Sequence, residues 1–315
     1  MTAEIAKFGH IALITPNLEK SVWFFRDIVG LEEVDRQGDT IFLRAWGDWE
    51  HHTLSLTPGN RARVDHIAWR TKRPEDVETF AEQLKAKGTE VQWIEPGEEK
   101  GQGKAIRFRL PNGYPFEIYY DVEKPKAPEG KKSRLKNNVY RPSYGIAPRR
   151  IDHVNVWTTN PSEIHQWLKD NMGFKMREYI RLNNGFVAGG WMSVTPLVHD
   201  IGVMVDPKGQ PNRLHHFAYY LDNVTDILRA ADILREHDIT IEMGGPGRHG
   251  ISQAFFLYVK DPGSGHRLEL FSGGYLIFDP DWEPIEWQEH ELQEGLIWYG
   301  PEMKPGGPMD DTTEC

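Results

Sequence analysis

Four stretches of this chain set a histidine near the start of a short apolar strand and follow it with a helix. They are His10-Ile11-Ala12-Leu13, His66-Ile67-Ala68-Trp69, His153-Val154-Asn155-Val156 and His216-Phe217-Ala218-Tyr219. The spacing is regular within each half, 56 residues from His10 to His66 and 63 from His153 to His216. A pattern met four times ties the chain to one supersecondary unit, repeated and paired two by two.

Each unit follows one internal plan. A period-2 strand comes first. Apolar spacings of three and four then predict helices through Leu18, Val22, Phe25 and Val29; Val77, Phe80, Ala81 and Leu84; Ile164, Trp167 and Leu168; and Ile227, Ala231 and Leu234. Asn17, Pro74, Pro161 and Asn223 stand at or near the starts, and Gly30, Gly88 and Gly173 end the first three. β-Branched and aromatic runs follow, among them Thr40–Trp46, Thr53–Thr57, Lys104–Leu110 and Ala254–Lys260. The fold class is α+β: four βαβββ units paired into two barrel-like domains, because one unit alone would leave an open sheet edge. The expected domains are residues 1–122 and 150–275, joined by a Lys-, Pro- and Gly-rich linker over 123–149. Residues 276–315 form an extension or lid. Its aromatic segments, 279–284 and 287–299, pack back on the second domain, and Gly306–Cys315 is expected to be disordered.

A chain of 315 residues suits two domains with their own cores, and 39% hydrophobic with 27% charged residues describes a soluble globular protein. The net charge of −10 argues against a nucleic-acid or anionic-membrane surface. The one cysteine, Cys315, leaves no disulfide framework and no thiolate metal site. No basic-then-apolar leader and no apolar run of about 20 residues appears, so a cytoplasmic location is expected.

The second and fourth units end on strands that carry a glutamate, Glu117 and Glu269. Alternate residues of a strand share a face, so His153 points with Asn155 and His216 with Ala218. His215 is expected on the face opposite His216. If Glu269 borders the same cavity, two imidazoles and one carboxylate converge from three strands. Such a facial set suits a non-haem Fe(II) site with open positions, with Mn(II) as the alternative. The third unit's strand, Ile201–Val205, offers no further ligand. An isolated strand histidine is ordinarily structural; the ordered recurrence of His, His and Glu is what points to metal. The two halves then part. The C-terminal half adds His199, His249 within Gly245-Pro246-Gly247-Arg248-His249-Gly250, and Tyr258. The N-terminal half has His51-His52 at the place comparable to His199, but Glu98 or Glu99 near the His249 position and Arg107 at the Tyr258 position. Chemistry at an open metal site needs groups that take and return protons near neutral pH. His10, His66 and Glu117 are therefore expected to fill ordinary core roles without metal.

These residues resemble those of the type I extradiol ring-cleavage dioxygenases of the vicinal oxygen chelate superfamily, most of all the catechol 2,3-dioxygenases. The resemblance runs from about His10 to Trp298 and is most specific over Gly245–Phe271. It implies His153, His216 and Glu269 as iron ligands, His199 as acid–base catalyst, and His249 and Tyr258 as groups contacting substrate. It also implies that Asn155 and Trp191 line the site, as in some members. The implied reaction opens catechol or an alkylcatechol beside the diol, with O2 as co-substrate, to a 2-hydroxymuconic semialdehyde. Members that act on acidic catechols carry an arginine before the Gly-Pro-Gly segment and an arginine pair in the lid. Here those regions read Glu242-Met243-Gly244 and Gln293–Trp298, which favours an uncharged ring. Aromatic-rich surfaces and the resemblance together suggest a homo-oligomer, a tetramer foremost. Other readings stand beside this one: a biaryl or acidic diol as substrate, a glyoxalase-like metal-dependent isomerase, or a metal-free binding protein of the same fold.

Overall fold

The computed structural model describes residues 3–127, 129–130, 132, 134, 140–301 and 310–315. The first unit comprises β1 (Ile5–Thr15), α1 (Leu18–Val22), a π-helical continuation (Trp23–Ile28), β2 (Glu32–Gln37), β3 (Thr40–Arg44) and β4 (Leu54–Pro58). The second comprises β5 (Arg63–Thr71), α2 (Glu75–Ala86), β6 (Gln92–Ile94), β7 (Ala105–Arg109) and β8 (Pro115–Tyr119). The third comprises β9 (Arg150–Thr158), α3 (Pro161–Met172), β10 (Lys175–Arg181), β11 (Val187–Ser193) and β12 (Ile201–Val205). The fourth comprises β13 (Arg213–Tyr220), α4 (Val224–Glu236), β14 (Gly247–Arg248), β15 (Ala254–Lys260) and β16 (Arg267–Gly273).

Every unit folds back on itself by the same pairing. Its first strand runs parallel to its last, as in β1–β4, β5–β8, β9–β12 and β13–β16. Units then join through antiparallel first strands, β1 with β5 and β9 with β13. Each half is thus one curled eight-stranded sheet, in the C-terminal half ordered β10-β11-β12-β9-β13-β16-β15-β14. The strands that carry the repeated histidines and glutamates lie side by side at the centre of each curl.

The expected helices form, with one change. The first begins at an Asn17 cap, whose side chain accepts from the Lys20 amide, and then widens into a π turn in which the Val29 amide reaches the Phe24 carbonyl at 2.8 Å. Within this wider turn the adjacent Phe24 and Phe25 are both completely buried. Phe25 meets Phe217 and Trp69 meets Phe174, with ring centroids 5.9 and 5.0 Å apart, so one apolar core runs through both halves.

The C-terminal extension returns to the second half. β17 (Ile285–Gln288) adds a parallel strand beside β10, and a short helix, α5 (Leu292–Leu296), follows. The expectation of a disordered Gly306–Cys315 is corrected over its described part. Residues 306–309 lie outside the described residues, but Thr313-Glu314 forms β18, pairing antiparallel with β13 and bridging Glu314 to Arg63 of β5. The edge of β13 offers unpaired backbone groups there, and the Cys315 amide closes the join on the Asn212 carbonyl at 2.8 Å. Among the described residues, no helix is long and apolar enough to cross a membrane.

Candidate metal centre

β9, β13 and β16 bring His153, His216 and Glu269 together at the buried centre of the C-terminal sheet. His153 Nε2 lies 3.2 Å from His216 Nε2 and 2.8 Å from Glu269 Oε2, and His216 Nε2 lies 3.1 Å from the same oxygen. Three donors on one face of an octahedron with bonds of about 2.1 Å would stand about 3.0 Å apart, so the triangle fits a first-row divalent ion. The chemistry of the set agrees. Burial alone would raise the Glu269 carboxyl, yet His216 and the hydrogen bonds from His153, His216 and His249 hold it well below its usual range, in the anionic form a metal requires.

The nitrogens turned away from the triangle have partners of their own. His153 Nδ1 lies 2.8 Å from Asp152 Oδ1, and His216 Nδ1 lies 2.6 Å from His215 Nδ1. Such outer contacts fix the tautomer and ring angle of a metal-binding histidine. The expectation that His215 faces away is therefore corrected. A β-bulge between Leu214 and His216 makes His215 the extra residue opposite β9 and turns its ring toward His216, while the far side stacks on Trp157 at 4.3 Å. Strict alternation cannot reveal this, because a bulge breaks the period of two.

The residues expected to handle protons surround the triangle. The His199 ring lies 4.0 Å from that of His153. Burial, with nearby His153, holds His199 well below the ordinary imidazole range, so it stands neutral and able to accept a proton. Its loop is tied by Asp200, whose carboxylate accepts from the Val194 and Thr195 amides and the Thr195 hydroxyl at 2.8–3.0 Å. On the other side, His249 Nε2 approaches Glu269 Oε1 at 3.2 Å and the Tyr258 hydroxyl at 3.4 Å. His249 Nδ1 donates to the Leu296 carbonyl on α5, and the ring stacks on Phe256. Tyr258 sits opposite Glu269 in the β15–β16 ladder. Burial pushes its phenol well above the usual value, so it remains a hydroxyl and a donor.

Two cavities approach the centre. One, of about 270 Å³, is lined by Arg248, His249, Gly250, Gln253, Trp287 and Trp298. The other, of about 210 Å³, reaches His199 and Phe271 past Tyr275 and Leu276. Glu178, which nothing in the periodicity singled out beyond a charge in a strand, fastens both walls. It accepts from the Ser252 amide, the Tyr275 hydroxyl and the Trp287 indole at 2.7–2.8 Å. Asn155 stands opposite His216 in the ladder. Its amide lies over Gly202, where a Cβ would fall 2.4 Å from Nδ2, and its Oδ1 is buried without a partner among the described residues. Trp191 packs beside Gly202 in a side cluster with Ile180, Ala188 and Ile251. Neither Asn155 nor Trp191 is among the residues lining the two cavities.

The N-terminal half matches this layout point for point but with different groups. His10 and His66 stand 3.0 Å apart, His52 occupies the place of His199 against His10, and Glu99 and Arg107 take the places of His249 and Tyr258.

Comparison with known proteins agrees with this geometry. Residues 150–270 match the Glyoxalase/Bleomycin resistance protein/Dioxygenase superfamily, and residues 64–123 match a catechol 2,3-dioxygenase-like N-terminal domain. The chain is 39% identical to the metapyrocatechase of Geobacillus stearothermophilus, over 94% of this chain and 90% of that one. It is 27% identical to the metapyrocatechase of Pseudomonas sp. (strain CF600), over 95% and 96%. It is similar in structure to homoprotocatechuate 2,3-dioxygenase from Brevibacterium fuscum in its anaerobic complex with 3,4-dihydroxyphenylacetate, with a TM-score of 0.86, 29% identity, and 97% and 92% coverage. The chain belongs to the type I extradiol ring-cleaving dioxygenases of the vicinal oxygen chelate superfamily.

Proposed function

We propose that this dioxygenase acts on catechol and alkylcatechols, with His153, His216 and Glu269 holding Fe(II) and His199, His249 and Tyr258 handling the substrate's protons and oxygens. The observation that carries the reading is the asymmetry of the halves. At the places of the ion-paired Glu99 and Arg107, the C-terminal half carries an imidazole and a phenol hydroxyl, His249 and Tyr258. When bound, Fe(II) supplies the redox centre at which an ortho-diol and dioxygen meet, and Mn(II) shares the same donor preference.

The chain's own residues do the rest. The wall of Trp287 and Trp298 is suited to a flat aromatic ring, and the buried Glu178 keeps Trp287 in place. As the diol enters, a hydroxyl proton passes to an imidazole nitrogen of His199, which stands neutral. The same nitrogen would return that proton to an oxygen of the ring-opened product, so His199 ends as it began. The Tyr258 hydroxyl donates to one substrate oxygen, and His249, its Nδ1 fixed on Leu296, presents Nε2 beside it.

An uncharged ring is favoured because the nearby guanidiniums are engaged. Arg150 pairs with Asp152 at 2.5 Å, and Arg248 donates to the Gln253 carbonyl and lies over Phe255. The same reading includes a homo-oligomer, a tetramer foremost, with Phe278, Leu228 and Leu276 among the large apolar side chains exposed to a partner. The direct test is to load the chain with Fe(II), add catechol in air-saturated buffer, and follow the yellow semialdehyde. Alanine at His153, His216 or Glu269 is expected to abolish bound iron and product together. Full iron after His216→Ala, or no product from a fully loaded chain, would refute the assignment.

A further inference from the structure

The N-terminal half repeats the geometry of the metal centre and then fills it with a cation of its own. His10 Nε2 and His66 Nε2 stand 3.0 Å apart, as their counterparts do at 3.2 Å. Glu117 faces Ala68 in the β5–β8 ladder as Glu269 faces Ala218 in β13–β16. Here, however, the carboxylate is drawn off the imidazoles, 3.8 Å from each. Its oxygens accept instead from Arg107 Nε at 2.6 Å and Gln102 Nε2 at 2.7 Å. Glu99 moves into the gap, with Oε1 3.0 Å from His10 Nε2 and Oε2 3.3 Å from His66 Nε2, and it too accepts from Arg107, through Nη2, at 2.6 Å.

Arg107 therefore bridges both carboxylates from the strand position that Tyr258 holds in the other half, opposite the ladder glutamate. The donor atoms of His10, His66, Glu99 and Glu117 all lie within 4.8 Å of one another and the four residues are buried. A cavity of about 170 Å³, lined in part by Asp65, His66, Glu99 and Arg107, opens onto them. Two adjacent buried carboxylates demand positive charge close by. A guanidinium on a flexible stem meets that demand here; two imidazoles and two carboxylates would equally suit Mn(II), Fe(II), Co(II) or Zn(II).

We propose that Arg107 is a tethered substitute for a divalent metal ion, and that His10, His66, Glu99 and Glu117 form a latent second metal site that the guanidinium keeps closed. Glu99 and Glu117 can contact the guanidinium or a metal, so the two cations compete for the same oxygens. The inference concerns the N-terminal half alone and does not depend on which diol the other half cleaves.

Arg107→Tyr tests it, since tyrosine is the side chain the duplicated unit carries at this place. The full chain, native and variant, is stripped with EDTA and dialysed against Mn(II), and bound ions per chain are counted. The variant is expected to hold one Mn(II) more than the native chain, whatever number the other half binds, and His10→Ala added to it is expected to remove that increment. Its thermal midpoint is expected to fall in EDTA and to recover in Mn(II) by more than the native midpoint does. A folded variant with the native ion count overturns the proposal. So does a native chain that loses an ion on His10→Ala, because the site would then be open already. If the variant unfolds in EDTA, refolding with one added Mn(II) supports the inference, and a chain that stays unfolded in Mn(II) refutes it.

Discussion

His199 and His249 flank the triad from two sides, and their surroundings suit them to different tasks. His199 is fully buried beside an imidazole and has no carboxylate in hydrogen-bond range among the described residues, so its neutral form is favoured and it can take a proton. His249 is held through Nδ1 by a backbone carbonyl and can only present Nε2. His199→Phe is accordingly expected to keep its iron and bind catechol while kcat per bound iron falls by about 10²–10⁴-fold. A normal kcat with a depressed thermal midpoint would make His199 structural. Behind the ligands, Asp152 and His215 hold the outer nitrogens of His153 and His216. Asp152→Asn and His215→Ala are each expected to weaken metal binding by about 10–100-fold, measured by competition with a coloured chelator. Unchanged affinity in both would mean that the rings are oriented by packing alone.

At the scale of elements, the repeat and its histidines were legible because burial on both sides of a central strand imposes a strong apolar pattern. His153, His216 and Glu269 stood out as equivalent positions in equivalent units. His215, Asp200 and Glu178 did not. A bulge moves His215 out of its alternating face, Asp200 ties its own loop through the nearby Val194 and Thr195 in a turn without period, and Glu178 acts on groups distant in sequence, such as Trp287, that no local pattern links to it. The π turn after Val22 was hidden for a similar reason, since Leu18, Val22, Phe25 and Val29 fit an ordinary helix equally well. The strand β14 carries a feature that bears on specificity. Arg248 lines the cavity beside His249, although its Nε is spent on Gln253 and its plane rests on Phe255. An acidic side chain on the catechol would therefore meet a guanidinium whose Nε and plane are already in use. The expected outcome is a lower kcat/KM for 3,4-dihydroxyphenylacetate than for catechol or 4-methylcatechol. Equal or better turnover of the acid would place its carboxylate on Arg248, and Arg248→Met should then remove that advantage.

Across the whole molecule, the two halves share one core and are also joined by the last residues of the chain. β18 closes the edge of β13, Arg213 donates to Thr312 through two nitrogens, and His266 contacts the Thr313 hydroxyl at 2.9 Å. Each such hydrogen bond contributes roughly 0.5–1.5 kcal/mol net, so their loss together should cost stability. Removing residues 310–315 is therefore expected to lower the thermal midpoint. The iron-normalised kcat should change little, because His216 keeps its pairing with Asn155 and its contacts with Glu269 and His215. Unfolding should remain a single calorimetric transition, since Trp69 on Phe174 and Phe25 on Phe217 still bind the halves through the core. Two separate transitions in the shortened chain would show instead that β18, and not the shared core, makes the halves one cooperative unit.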